Sequence, residues 1–150
     1  MSNTTTHILI VEDSPEDFEA TVRVLRRCGL KNAVFQCVDG DDALDYLYRR
    51  GRYAGTGMPP RPGIILLDLN LPGTDGREVL ETVKMDPVLR RIPVVILTTS
   101  GDERDINMSY DRGANSYIQK PVGLEGFVRA VTMLKEYWFE ITALPKGEQP

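Results

Sequence analysis

The sequence predicts an α/β fold built on one doubly wound sheet of five parallel strands. Two observations carry that expectation. Five short apolar runs, rich in β-branched residues, recur at near-regular intervals along 150 residues. Between them, apolar residues return at the helical spacings of three and four. Continuous rather than alternating apolar runs fit strands covered on both faces. Strands that alternate with helices pair in parallel through right-handed crossovers.

In chain order, the first strand is Ile8-Leu9-Ile10-Val11. Ser14-Pro15 then offers an N-cap with proline in the first turn, and Phe18, Val22 and Leu25 mark the helix it opens. Ala33-Val34-Phe35 forms the second strand, and Ala43, Leu44 and Leu47 mark a helix after Asp41. The segment RRGRYAGTGMPPRP, residues 49–62, is rich in Gly, Pro and Arg and is expected to be a surface loop. Ile64-Ile65-Leu66-Leu67 is the third strand, and Val79, Leu80 and Val83 place a helix after Gly76. Val94-Val95-Ile96-Leu97 is the fourth strand, and residues 103–112 read as a polar helix. A weaker run, Tyr117-Ile118, is the fifth strand. Leu124, Phe127, Val128, Val131, Leu134, Trp138 and Ile141 outline a long amphipathic helix. The expected organisation is a flexible N-terminal segment 1–6, one domain over 7–142 and a tail over 143–150.

Composition narrows the function classes. Apolar residues make up 41% of the chain and charged residues 27%, a globular balance. No apolar stretch approaches the ~18 residues that cross a membrane, and no signal-peptide core follows the polar start. A cytoplasmic protein without membrane partners is expected. Cys28 and Cys37 have no metal-ligand spacing and read as small buried apolar residues of a reducing compartment. His7 is the only histidine, which excludes a histidine cluster within one chain. A net charge of −4 argues against nucleic-acid binding. The Arg49-Arg50 and Arg90-Arg91 pairs read as solvated surface.

Ligands of open parallel sheets bind beyond the carboxyl ends of the strands. There the sequence places Glu12 and Asp13 after the first strand, Asp68 after the third, Thr98 and Thr99 at the end of the fourth, and Lys120-Pro121 after the fifth. Taken singly, a strand-ending aspartate is ordinarily a cap, Lys-Pro a turn, and Thr-Thr a satisfier of backbone groups. Taken together they need a common reason, because three clustered carboxylates repel. A divalent cation compensates them, and an oxygen-only ligand set suits Mg²⁺ better than zinc or copper. A cation, an ammonium and a hydroxyl form a setting for phosphoryl oxygens. An aspartate carboxylate is a nucleophile suited to such a transfer.

The motifs ILIVEDS, IILLDLNLPGTDG, PVVILTTS and YIQKP together resemble the receiver domain of two-component response regulators, over about residues 7–142. The resemblance implies the (βα)5 receiver fold, also called flavodoxin-like, with strand order 2-1-3-4-5. It implies Asp68 as phosphoacceptor and Glu12, Asp13, Asp68 and the backbone carbonyl of Asn70 as Mg²⁺ ligands, with Mn²⁺ able to substitute. It further implies Thr98 as the switch hydroxyl, Lys120 as the phosphoryl partner, Tyr117 as the aromatic switch and a cis bond before Pro121. Pro72 and Gly73 suit the turn beneath such a site. Thr99 stands where the family often has alanine or glycine, and its bulk is expected to narrow access and slow hydrolysis. Gly101 is expected to loosen the loop after the fourth strand.

EYWFEITALP, the long loop before the third strand and GREVLETVKMDPVLRRIPVVILTTS resemble the stand-alone receivers that pair with bacteriophytochromes. The expected function is therefore a single-domain response regulator. It would catalyse only its own Mg²⁺-dependent phosphorylation, from a sensor histidine kinase of phytochrome type, and its own dephosphorylation. Phosphorylation would shift the surface of the fourth helix, fifth strand and fifth helix, with output by binding or by onward phosphotransfer in a phosphorelay. Tyr137, Trp138 and Phe139 are consecutive and cannot share one helix face. With Tyr110 and Tyr117, Tyr137 and Phe139 are expected to form a dimer or partner surface, and a homodimer through the C-terminal half is favoured over a tail that folds back on them. The competing class is an interaction module that has lost the chemistry, against which the intact acidic set argues. A phosphatase of the haloacid-dehalogenase type needs a second acid two residues after the nucleophile, where Asn70 stands. A flavodoxin-like electron carrier would set these carboxylates against an anionic flavin phosphate.

Overall fold

The computed structural model describes residues 6–55, 57, 61–141 and 143–144, without the side chain of Ile141. Of the expected N-terminal segment 1–6 and tail 143–150, all but Thr6, Ala143 and Leu144 lie outside the described residues, as do positions 56 and 58–60 of the loop. The elements are β1 (Ile8–Val11), α1 (Pro15–Arg27), β2 (Val34–Cys37), α2 (Gly40–Tyr48), β3 (Ile64–Leu67), α3 (Gly76–Met85), β4 (Val94–Thr98), α4 (Glu103–Asp111), β5 (Ser116–Gln119) and α5 (Leu124–Glu136). α5 runs on into a wider-wound turn, Tyr137–Ile141. All neighbouring strands pair in parallel in the order β2-β1-β3-β4-β5, as expected.

The three central strands are buried along their whole length, and the edge strands β2 and β5 only in part. That explains why the fifth apolar run is weak: an edge strand needs less apolar sequence. Strand residues alternate between two cores. Leu9, Val11, Ile65, Leu67, Val94 and Ile96 pack against α2 and α3 through Ala43, Leu47, Val79, Leu80 and Val83. Ile8, Ile10, Ile64, Leu66 and Val95 pack against α1 and α5 through Val24, Leu25, Phe127, Val131 and Leu134. Trp138 closes the second core.

The helix starts show what the sequence reading caught and missed. Ser14 caps α1, its side chain accepting the Asp17 N–H, with Pro15 in the first turn. α2 begins one residue before Asp41, at Gly40, because the Asp39 carboxylate accepts the Asp42 N–H. Asp75 and Asp102 cap α3 and α4 in the same way. On α5, Leu124 and Val128 do not join the core and are exposed. Val128 stands one residue, about 100°, around the helix from Phe127, and Leu124 lies in the first turn. α4 is the outlier: among its residues only Ser109 is buried.

The loop of residues 49–62 is surface only in part. Tyr53 is buried, packs edge-on against Tyr46, and donates its hydroxyl to Asp42, which also receives the Arg52 guanidinium. Cys37 is fully buried, and burial pushes its thiol up to about 12. Cys28 is half-buried, and both cysteines are free.

The close approach of α2 to the loop after β3 requires glycine at position 40. A Cβ there would stand 1.8 Å from the Thr74 carbonyl oxygen. Gly40→Ala is expected to destabilise the protein by about 1–3 kcal/mol through overpacking, measured as a lower urea midpoint.

Candidate functional site

β1, β3 and β4 lie side by side; Val11 and Leu67 end β1 and β3 in register, and β4 runs two residues past Ile96, the partner of Leu67, to Thr98. The next residues therefore collect at one edge: Glu12 and Asp13 after β1, Asp68 after β3, and Thr98 at the end of β4. One carboxylate oxygen each from Glu12, Asp13 and Asp68 lies within 4.8 Å of the others. Glu12 and Asp68 are buried and Asp13 is exposed. Lys120 follows β5, beyond β4. Strands are ~4.8 Å apart, so β3 lies two spacings and β1 three from β5, and the four-carbon lysine stem and the acid side chains reach toward one another to close that distance.

The Lys120 Nζ lies 2.5 Å from Glu12 Oε1, 2.9 Å from Asp17 Oδ2 and 3.2 Å from Asp68 Oδ2. The other Asp68 oxygen, Oδ1, accepts the Thr98 hydroxyl at 2.8 Å and the Asn70 N–H at 3.0 Å. Glu12 Oε2 accepts the Ser14 N–H. Burial would lower the Lys120 pKa, but hydrogen bonds to Glu12 and Asp17 and the charge of Asp68 outweigh it, so the pKa rises and the ammonium persists. Burial raises the Glu12 pKa, opposed by Lys120 and reinforced by the charge on Asp68.

The structure thus brings Glu12, Asp13, Asp68, Thr98 and Lys120 together, with the Asn70 backbone beside them. Their oxygen donors fit a hard divalent cation. Thr99 is exposed at the rim and Pro121 is half-buried. The Lys120–Pro121 bond is trans, not the expected cis; trans is the lower-energy isomer before proline, and from it the ammonium still reaches the carboxylates. Tyr117 is half-buried, and its hydroxyl donates to the Ser100 carbonyl at 2.8 Å. Tyr110 and Tyr137 are exposed. Phe139 departs from expectation: it packs against the second core and does not join that surface. Asp17 was missed by the sequence reading. Its signal was the Ser14 cap, which fixes the first turn of α1 and brings the third helical residue to the sheet edge.

A doubly wound five-stranded sheet whose central strands end in a carboxylate cluster, a buried hydroxyl and a buried lysine defines a receiver of two-component signalling. Residues 8–132 match the response regulator receiver domain model, and the chain belongs to that family. It is 41% identical over 144 residues to the response regulator Rcp1 of Synechocystis sp., covering 96% of each. The Mn²⁺-bound structure of Rcp1 superposes with a TM-score of 0.88 at 40% identity, over 94% of this chain and 99% of that one. The phosphorylated cyanobacterial phytochrome response regulator RcpA gives 0.87 at 42% identity, over 95% and 99%. The strand order and the phytochrome-associated relatives agree with the sequence-based expectation. No helix among the described residues is long and apolar enough to cross a membrane.

The raised Glu12 carboxyl has a stability consequence. A carboxyl that holds its proton more tightly when folded stabilises the fold below its ordinary value of 4.5. That contribution is lost as pH rises through 4.5 toward the raised folded value. Without divalent cation, the wild type should therefore lose stability relative to Glu12→Gln across that window, read by thermal unfolding at stepped pH. A divalent cation at about 100 times its Kd should restore about 2.7 kcal/mol to the wild type and clearly less to the variant.

Proposed function

We propose that Asp68 accepts a phosphoryl group from a phosphohistidine of a sensor kinase, and that this chain catalyses the transfer on itself. The observation that carries the reading is the coordination of the Asp68 carboxylate. One oxygen faces Lys120, the other receives Thr98 and the Asn70 N–H, and two further acids stand within metal-sharing distance. In the transfer a carboxylate oxygen of Asp68 bonds to phosphorus as the phosphorus–nitrogen bond to imidazole breaks. Glu12, Asp13, Asp68 and the Asn70 carbonyl would hold Mg²⁺, with Mn²⁺ as a substitute, and the cation would neutralise charge on the phosphoryl oxygens. Lys120 supplies a second positive charge and Thr98 a hydroxyl donor. Hydrolysis of the acyl phosphate by water returns the carboxylate, and the exposed Thr99 narrows the approach. The competing reading, an interaction module without this chemistry, leaves the assembled carboxylates unexplained.

RcpA is a phytochrome response regulator, and that relationship, together with the resemblance of the loop and C-terminal sequence to receivers that pair with bacteriophytochromes, supports a phytochrome-type sensor kinase as the partner, met in the cytoplasm. The C-terminal half also supports homodimerisation, because Tyr110, Tyr117, Met133, Tyr137 and Trp138 line one open groove.

Incubation with Mg²⁺ and acetyl phosphate should add one phosphoryl mass to the wild type and none to Asp68→Asn. No gain in a folded, cation-saturated wild type, from acetyl phosphate or from a phosphorylated kinase, sinks the reading. Tyr137→Glu should shift sedimentation toward monomer by about tenfold or more in Kd, the loss expected when a buried interface aromatic is removed. An unchanged distribution removes the groove from the dimer.

A further inference from the structure

α4 is fastened to the rest of the molecule by polar bonds. None of its residues, Glu103–Asp111, belongs to either apolar core, and only Ser109 is buried. Its attachments to α3 run through two arginines. At its start, the Arg77 guanidinium grips Asp105 with two bonds, Nε to Oδ1 at 2.9 Å and Nη2 to Oδ2 at 2.8 Å. Just past its end, Arg112 donates to the Arg77 carbonyl and pairs with Glu81. The remaining nitrogen of Arg77, Nη1, reaches both oxygens of Asp75 and, at 3.4 Å, the carbonyl of Leu69, the residue after Asp68. Asp105 in turn accepts the Ser100 hydroxyl at 2.6 Å, and the Ser100 carbonyl accepts the Tyr117 hydroxyl. One guanidinium thus stands between the backbone of the acidic site and the loop that carries Tyr117's partner.

We infer that Arg77 is a positioning residue that couples the Asp68 loop to α4: it holds α4 and the β4–α4 loop in one place and yields when the site changes its charge. The pair suits this role because it is only partly exposed, 29% for the Arg77 side chain and 19% for Asp105. Water screens it incompletely, so it holds well. It is also a bidentate contact that forms or is lost as a unit. Moving α4 must shift Asp105, and that disturbs Arg77, Asp75 and the Leu69 carbonyl together. A thread of hydrogen bonds therefore links site and surface alongside Thr98. The inference rests on the proposed role of Asp68, but its first test does not require phosphorylation.

That test is amide hydrogen exchange on the full-length chain, unphosphorylated, for wild type, Arg77→Gln, Arg77→Lys, Asp105→Asn and the Arg77→Gln/Asp105→Asn double variant. Exchange over residues 100–111 should rise about tenfold in each glutamine or asparagine variant, the scale of one coupled ion-pair network. The β1, β3 and β4 amides should stay as protected as in the wild type. The double variant should exchange no faster than either single, and Arg77→Lys, which keeps the charge but not the fork, should fall between. A second readout is the phosphorylation rate from acetyl phosphate and Mg²⁺, which should change severalfold in Arg77→Gln. Unchanged exchange in α4, a uniform rise across the sheet, or additive single effects each overturn the coupling. If Asp68 takes no phosphoryl group but the exchange pattern holds, only the functional reading of Asp68 has failed.

Discussion

The structure depends on one electrostatic arrangement: the Lys120 ammonium, almost wholly buried, held between Glu12, Asp17 and Asp68. Lys120, Glu12 and Asp68 would each be costly alone at that depth, while Asp17 is partly exposed. A buried ion without its counterion is destabilising by several kcal/mol, and clustered carboxylates repel one another. The lysine reduces both costs but cannot cancel them, since three acids share one ammonium. A residual excess of negative charge at the mouth of the sheet suits the site to a divalent cation. The same surplus would resist an incoming phosphoryl group until that charge is neutralised.

Only a rigid scaffold can hold such a set. β1 and β3 end in register with β4 alongside, and two apolar layers, one under α1 and α5 and one under α2 and α3, lock them from both sides. Glu12, Asp13, Asp68 and Thr98 stand on the ends of these three strands or within two residues of them. Their positions are therefore set by the most buried backbone in the molecule, and the charge conflict is met by the core rather than relieved by local movement. The tight seat of α2 on the Thr74 carbonyl extends that rigidity to the loop beside Asn70.

Much of this was legible in the sequence, and for physical reasons. Parallel strands buried on both faces leave unbroken apolar runs, so Ile8–Val11 and Ile64–Leu67 announced themselves, and the charged residues that follow each run fell on the functional edge. What escaped notice was long-range polar pairing. Asp17 looks like any acid in the first turn of a helix, and only the fold shows that it faces Lys120. Arg77 and Asp105 are far apart in sequence on different helices, and no periodicity joins them. Tyr53 lay in a stretch whose Gly, Pro and Arg content reads as loop, yet its ring is buried under α2 while its hydroxyl meets Asp42. Phe139 and Tyr137 could not be told apart, because the helical turn widens after Glu136 and changes the angle between successive residues.

The contrast between α5 and α4 shows where such a molecule can move. Phe127, Val131, Leu134 and Trp138 anchor α5, and side chains of this size contribute about 1.5–3 kcal/mol each when fully buried. α4 has no comparable anchor, since its ion pairs are partly exposed and contribute about 0.2–1 kcal/mol apiece, whereas hydrogen bonds to a fully charged group contribute about 1.5–3 kcal/mol each. A phosphoryl group brings about −1.5 to −2 charges and several acceptor oxygens. Reversing a 1:99 population takes about 5.5 kcal/mol, which two or three such bonds can supply. That is enough to displace a helix held by a few ion pairs and too little to lift one seated by four apolar side chains. Charge added at Asp68 would therefore be expressed at α4 and the neighbouring Tyr117, while α5 and the sheet serve as the fixed frame against which the movement is read.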